Sequence, residues 1–125
     1  TLDDKRHPRF DLRYGSLQPT ELPNTESLKT TLDRVLPYWN NRLAPELKAG
    51  KNVLVVAHGN SLRALVKMLD NMSDAEIVEF KLPTGVPIQY EVHHNPKPKA
   101  PSKYHGDPEA IKAAAEAVAK QTEKN

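Results

Sequence analysis

Apolar positions in this chain gather into three stretches, each with its own period, separated by polar and proline-bearing segments. From Thr25 onward, Leu28, Leu32, Val35, Leu36, Trp39 and Leu43 recur at intervals of three and four, which predicts one face of a helix. Thr25 is its expected N-cap, with Glu26 in the first turn facing the positive end of the helix dipole. Pro37 falls inside the pattern and predicts a kink, because it lacks an amide donor and crowds the preceding turn. Gly50 is the stop signal. Val53-Leu54-Val55-Val56-Ala57 is a short continuous apolar run rich in β-branched residues. Its lack of alternation predicts a strand buried on both faces, as in a parallel sheet. His58-Gly59-Asn60-Ser61 reads as the following turn, and Leu62, Leu65, Val66 and Leu69 as a second helix ending near Asp70-Asn71. Ser73 with Glu76 forms the signature of a capping box, which predicts a short third helix. Beyond the loop Pro83-Thr84-Gly85-Val86-Pro87, the residues Ile88-Gln89-Tyr90-Glu91-Val92 alternate like a strand. Helix, strand, helix, helix, strand is the order of an α/β fold.

The flanks lack such periods. Thr1 to Asn24 carries charges and Pro8, Pro19 and Pro23, and predicts irregular backbone. A structureless opening of about two dozen residues implies either a functional segment or a piece of something larger. After His93 the run Pro96-Lys97-Pro98-Lys99-Ala100-Pro101 predicts a stiff, basic, extended linker. Asp107 to Lys120 is rich in alanine with Pro108 at a first-turn position, and predicts a weakly helical tail in which Ile111 and Val118 are the larger apolar groups. The chain thus divides into residues 1–94, the packed part, and residues 95–125, a basic linker and flexible tail.

Composition narrows the function classes. At 125 residues one small domain is the most the chain accommodates. Hydrophobic residues at 38% and charged residues at 27% predict a soluble protein. Eighteen basic against 16 acidic residues leave a net charge of +2, too little to argue for nucleic acid, although it permits weak attraction to anionic metabolites. With no cysteine, disulfide and thiolate chemistry are excluded. No run has the length of a membrane span and the polar start does not read as a signal peptide, so cytoplasm is the expected location.

Candidate chemistry concentrates in Ala57-His58-Gly59-Asn60-Ser61-Leu62. In open α/β sheets ligands collect beyond the carboxyl ends of strands, where the next helix starts. There the amides of Gly59, Asn60 and Ser61 favour an anion, and Gly59 lets the backbone approach closely. Asn60 adds a side-chain donor, and His58 can change charge near neutral pH. Such a set suits a phosphoryl group, whose transition state spreads negative charge over its outer oxygens. A histidine after a strand also serves simply to bond a backbone carbonyl, with Gly-Asn as an ordinary turn, and spacing does not separate the two readings. The remaining histidines read as solvated: His93-His94 has no carboxylate or cysteine at metal spacing, and His7 and His105 lie in polar segments. Asp3-Asp4 and the Lys97, Lys99 and Lys103 series read as solvated charge, so no metal is expected.

Ala57-His58-Gly59-Asn60-Ser61-Leu62-Arg63-Ala64-Leu65-Val66-Lys67 closely resembles the second histidine motif of cofactor-dependent phosphoglycerate mutases, within the histidine phosphatase superfamily. Thr25-Glu26-Ser27-Leu28, Arg34-Val35-Leu36-Pro37-Tyr38-Trp39 and Pro83-Thr84-Gly85-Val86-Pro87 match in the same order, so the resemblance runs from about Thr1 to Val92. It implies the C-terminal part of a three-layer α/β/α domain with a mainly parallel sheet. It also implies interconversion of 3-phosphoglycerate and 2-phosphoglycerate, through a phosphohistidine primed by 2,3-bisphosphoglycerate and without a metal. His58 matches the second active-site histidine, which stabilises the transferring group, and Gly59 and Asn60 match substrate-binding positions.

The family's phosphorylated histidine sits in an Arg-His-Gly motif, and here the His-Gly pairs are His58-Gly59 and His105-Gly106, the latter in the tail. The acidic proton donor and paired substrate arginines of the family likewise belong to its earlier half. Leu12 in Asp11-Leu12-Arg13-Tyr14 stands where the family commonly has proline. The expectation is a chain that carries half of the site, completed by the N-terminal half of the domain, with a homodimer or homotetramer as the assembly. No nucleic-acid or membrane partner is expected. The alternatives are a broader histidine phosphatase, or a noncatalytic piece serving interaction.

Overall fold

The computed structural model describes residues 3–92 and 102–123. The first long apolar stretch forms α1 (Leu28–Tyr38), a π-helical turn (Trp39–Leu43) and α2 (Ala44–Lys48). Ser27, not Thr25, caps α1: its Oγ accepts the Thr30 amide at 3.1 Å, and Thr30 Oγ1 accepts the Ser27 amide at 2.9 Å. This reciprocal pair satisfies two donors at once, which Thr25 does not offer. Glu26 therefore lies ahead of the helix, where its carboxylate takes Arg34 Nε and Nη2 at 2.7 and 3.1 Å and is held below its ordinary pKa by that guanidinium. Pro37 lies inside α1, and the π turn follows it. Between Pro37 and Pro45 the Ala44 amide reaches Trp39 O, a widened turn that accommodates two residues without amide donors. Gly50, at φ +80°, ends the segment in the left-handed region that glycine enters freely.

The second stretch forms α3 (Gly59–Leu69), and its end is a Schellman motif. Asn71 takes φ +52° while the Met72 amide bonds Lys67 O at 2.9 Å and the Asn71 amide bonds Met68 O at 3.4 Å. Then α4 (Asp74–Glu79) opens on the expected box, with Ser73 N–H to Glu76 Oε2 at 2.7 Å and Glu76 N–H to Ser73 Oγ at 3.2 Å. The Ser73 amide, and after it the Ser73 hydroxyl, lower the pKa of the Glu76 carboxyl.

The core is a seam between α1, the π turn and α3. Trp39, Leu43, Ala44 and Leu65 are its buried members, with Val35, Leu47, Val53, Met68 and Leu69 packed around them. Ala64, Leu65 and Val66 are buried in succession, so α3 is covered around roughly half its circumference and is the central element. No large side chain among the described residues is fully buried, so the seam is thin.

The expected strand over Val53–Ala57 is not one here. Residues 51–58 join no ladder, and Leu54 and Val56 are 85% and 84% exposed. A strand exists only beside a partner, and none of the described residues supplies a parallel neighbour. Among the described residues the sheet is one antiparallel pair of two residues each, β1 (Ile88–Gln89) and β2 (Lys103–Tyr104), in the register Ile88 to Tyr104 and Gln89 to Lys103. The predicted alternation of Ile88 to Val92 is present in the burial, where Ile88, Tyr90 and Val92 are half-buried and Gln89 and Glu91 exposed. The tail is helical as α5 (Pro108–Glu123), with Asp107 Oδ2 accepting the Ala110 amide at 3.0 Å. Ile111, Ala114, Ala115, Val118 and Ala119 form its half-buried stripe. The linker run Pro96 to Pro101 lies outside the described residues.

A side-chain hydrogen bond ties the segment after β1 to the helical body. Tyr90 Oη donates to Asp70 Oδ2 at 2.9 Å, just past the end of α3. Burial first, and then that hydrogen bond to a carboxylate, push the Tyr90 phenol well above the ordinary tyrosine range. Beside it, the Gln89 side chain meets His105 Nε2 at 2.6 Å.

The opening segment is irregular, as expected, and is organised by three 3-10 turns, Pro8–Phe10, Leu12–Tyr14 and Pro19–Glu21. His7 is a correction: it does not face water but is 7% exposed, with Nδ1 accepting the Arg9 amide at 3.1 Å and Nε2 facing Asn24 Oδ1 at 3.0 Å. Ion pairs within the segment, Asp4 with Arg6, Asp3 with Arg9 and Asp11 with Arg13, hold it locally. The Arg13 guanidinium lowers the Asp11 carboxyl to about 2.

Candidate functional site

His58 is the N-cap of α3, in extended backbone at φ −61° and ψ 146°. Its Nδ1 accepts the Asn60 amide at 3.2 Å, a capping role that Ser, Thr, Asp or Asn fill more often. An Nδ1 acting as acceptor places the ring proton on Nε2, so this hydrogen bond sets the tautomer. The imidazole is exposed and presents Nε2–H as a donor.

The helix start differs in one respect from its sequence reading. Three amides were expected to face an anion, but that of Asn60 is taken by His58 Nδ1, and the first intrahelical bond runs from Leu62 N–H to His58 O at 3.0 Å. The amides of Gly59 and Ser61 have no acceptor among the described residues. Together with the positive end of the dipole of an eleven-residue helix, they are donors of the kind that favours an anion. Nothing approaches within 4 Å of where a Cβ on Gly59 would stand, so a ligand has clear access to the backbone there.

The structure therefore brings His58, Gly59 and Asn60 together at one helix end. No carboxylate, arginine or second histidine among the described residues bonds His58. The set can bind and polarise an anion, but it contains no nucleophile or proton donor aligned for covalent transfer. No group of three or more metal-ligating side chains occurs among the described residues, and no helix there is long and apolar enough to cross a membrane. His93 and His94 lie outside the described residues, and His105 is exposed but engaged by Gln89.

Sequence reading missed the cations that follow His58 along α3. Arg63 and Lys67 stand four residues apart on one helix face, and Arg63 Nη2 reaches Ile77 O at 2.5 Å. The signal for the pairing was their helical spacing.

Residues 1–97 match the family described as the histidine phosphatase superfamily (branch 1). That match spans the opening turns, the α1–α3 seam and the imidazole-capped helix start, and the chain belongs to the histidine phosphatase superfamily.

Proposed function

We propose that this chain carries the second-histidine half of a phosphoglycerate mutase site, in which His58 stabilises the phosphoryl group in transit. The observation that carries this reading is the hydrogen bond from the Asn60 amide to His58 Nδ1 at the start of α3. With Nδ1 occupied by the Asn60 amide, Nε2–H is left as an outward donor beside the unpaired Gly59 and Ser61 amides. A fixed donor beside a helix N-terminus suits charge that builds on phosphoryl oxygens during transfer. Gly59 and Asn60 hold the substrate, through the open backbone at Gly59 and the Asn60 side chain.

In this reading the substrates are 3-phosphoglycerate and 2-phosphoglycerate, 2,3-bisphosphoglycerate is the priming donor, and the compartment is the cytoplasm. The phospho-acceptor histidine and the neighbouring strands come from polypeptide other than residues 1–125. Val53–Ala57 becomes a central strand of a three-layer α/β/α domain once those neighbours stand beside it. The exposed Leu54 and Val56 support this, since apolar side chains on an unpaired extended segment are those a sheet buries. The assembled protein is a homodimer or homotetramer.

Membership of the superfamily supports a phosphohydrolase as well as a mutase. The ordered matches from Thr25-Glu26-Ser27-Leu28 to Pro83-Thr84-Gly85-Val86-Pro87 favour the mutase. The test is to supply 3-phosphoglycerate, with and without 2,3-bisphosphoglycerate, to a polypeptide that joins residues 1–125 to an upstream Arg-His-Gly segment. Formation of 2-phosphoglycerate that depends on the bisphosphate supports the mutase. Release of inorganic phosphate as the main product makes the protein a phosphatase instead, and no phosphoryl chemistry leaves a noncatalytic interaction role.

A further inference from the structure

A cleft of about 490 Å³ lies between α1, α3 and α4, away from His58. Its charged lining is Arg63 and Lys67 from α3, Asp74 from α4 and Lys81 beyond it, and its apolar wall is Leu28, Ile77 and Val78. Three cations face one carboxylate. That carboxylate is loosely held. Asp74 pairs with Lys67 Nζ at 3.1 Å, but its side chain is 98% exposed, whereas that of Lys67 is 20% exposed and is also held by Met72 O at 3.1 Å. Asp74 can therefore swing to water while Lys67 stays.

Arg63 is held in the fold through part of its guanidinium group, with one donor unmet among the described residues. Its Nη2 is bonded to Ile77 O, yet its Nε is buried with no hydrogen-bond partner. Native proteins rarely leave a buried donor of a charged group unmet. Lys81, half-buried, has no ion pair or hydrogen bond among the described residues. The volume is of the size, roughly 300–1,000 Å³, that small organic ligands occupy.

We propose that this cleft binds a phosphomonoester bearing an apolar substituent. A dianionic phosphate matches the excess of cations, and its three terminal oxygens suit donors arriving from separate elements. The Leu28, Ile77 and Val78 wall calls for a carbon substituent, which inorganic phosphate lacks. Arg63 lies five residues beyond His58, about 7 Å along the helix axis, and Lys67 a further turn on, so the site takes nothing from the helix N-terminus. It does not depend on the reading of His58.

The test is equilibrium dialysis of the full chain against radiolabelled phenyl phosphate, with inorganic phosphate and phenylacetate as competitors. Saturable binding is expected, with phenyl phosphate at least about fivefold tighter than either competitor. Arg63→Gln is expected to abolish it, but that change also removes the tie to Ile77. Lys81→Gln, which disturbs no bond of the fold, is the cleaner variant and is expected to weaken binding by about three- to tenfold, the loss of one half-buried charge contact. The part of the binding that Lys81→Gln weakens is expected to persist in His58→Ala. Binding that does not saturate, that Lys81→Gln leaves intact, that inorganic phosphate matches, or that His58→Ala removes would overturn the proposal and leave Arg63 as a tie between α3 and α4.

Discussion

His58 Nδ1 accepts the amide hydrogen of Asn60 across 3.2 Å, so the ring that opens α3 has one nitrogen left for a ligand. Structural and chemical roles are thereby joined in one side chain. Replacing His58 by asparagine, a strong N-cap, should keep α3 while removing the outward donor. The measurement is the helical circular dichroism and melting temperature of His58→Asn beside those of His58→Ala. Asparagine is expected to match the parent, and alanine to lose about 0.5–2 kcal/mol, the usual worth of a cap. Equal loss in both variants would mean that the imidazole makes further packing contacts.

Leu54 and Val56 lie exposed on an extended segment with no ladder. Apolar residues beside unpaired backbone invite edge-to-edge association, so the isolated chain is expected to self-associate. Leu54→Lys and Val56→Lys should each shift the population toward monomer on a sizing column. A parent chain that is already monomeric and melts cooperatively contradicts this.

Stability should instead concentrate in the α1–α3 seam. Leu65→Ala, which empties a buried position against Trp39 and Leu43, is expected to cost about 2–4 kcal/mol, whereas Leu54→Ala should stay within about 0.5 kcal/mol. Urea unfolding followed by the fluorescence of Trp39, the single tryptophan, measures both. Similar costs at the two positions would place the core elsewhere.

Part of this architecture was legible because its signals are local. The Ser73 and Glu76 box and the Asn71 helix end need only neighbours within six residues, and both formed as read. Ser27 displaced Thr25 as cap because two side chains that bond each other outweigh one. The strand over Val53–Ala57 was the opposite case. Its apolar run states a demand for neighbours, and whether any neighbour meets that demand is invisible to local pattern. His7 with Asn24 and Tyr90 with Asp70 join positions 17 and 20 residues apart, beyond any helical or strand period. At the site, the residue types around His58 were readable, but the capture of the Asn60 amide depends on backbone direction at a single residue.

The Tyr90 contact carries a pH signature. Its raised folded pKa means the contact contributes fully below the ordinary tyrosine value of about 10, and is lost as pH climbs beyond that value toward the folded one. Absorbance titration should show a tyrosine that ionises late and disappears in Tyr90→Phe. Asp70→Asn, which removes the carboxylate that opposes the phenolate, should bring that ionisation down. A titration unchanged by Asp70→Asn would assign the shift to burial alone.

The central claim is that His58 acts on a phosphoryl group in transit, and the turnover number of His58→Ala tests it most directly. The measurement is made in a polypeptide that joins residues 1–125 to an Arg-His-Gly segment and interconverts the phosphoglycerates. Removing one donor that acts mainly in the transition state typically costs about 10²–10³ in rate. The expected result is a fall of that order in kcat with a smaller change in KM, while His105→Ala stays near the parent. Retained turnover with a lowered melting temperature would contradict the claim and leave His58 as the cap of α3 and nothing more.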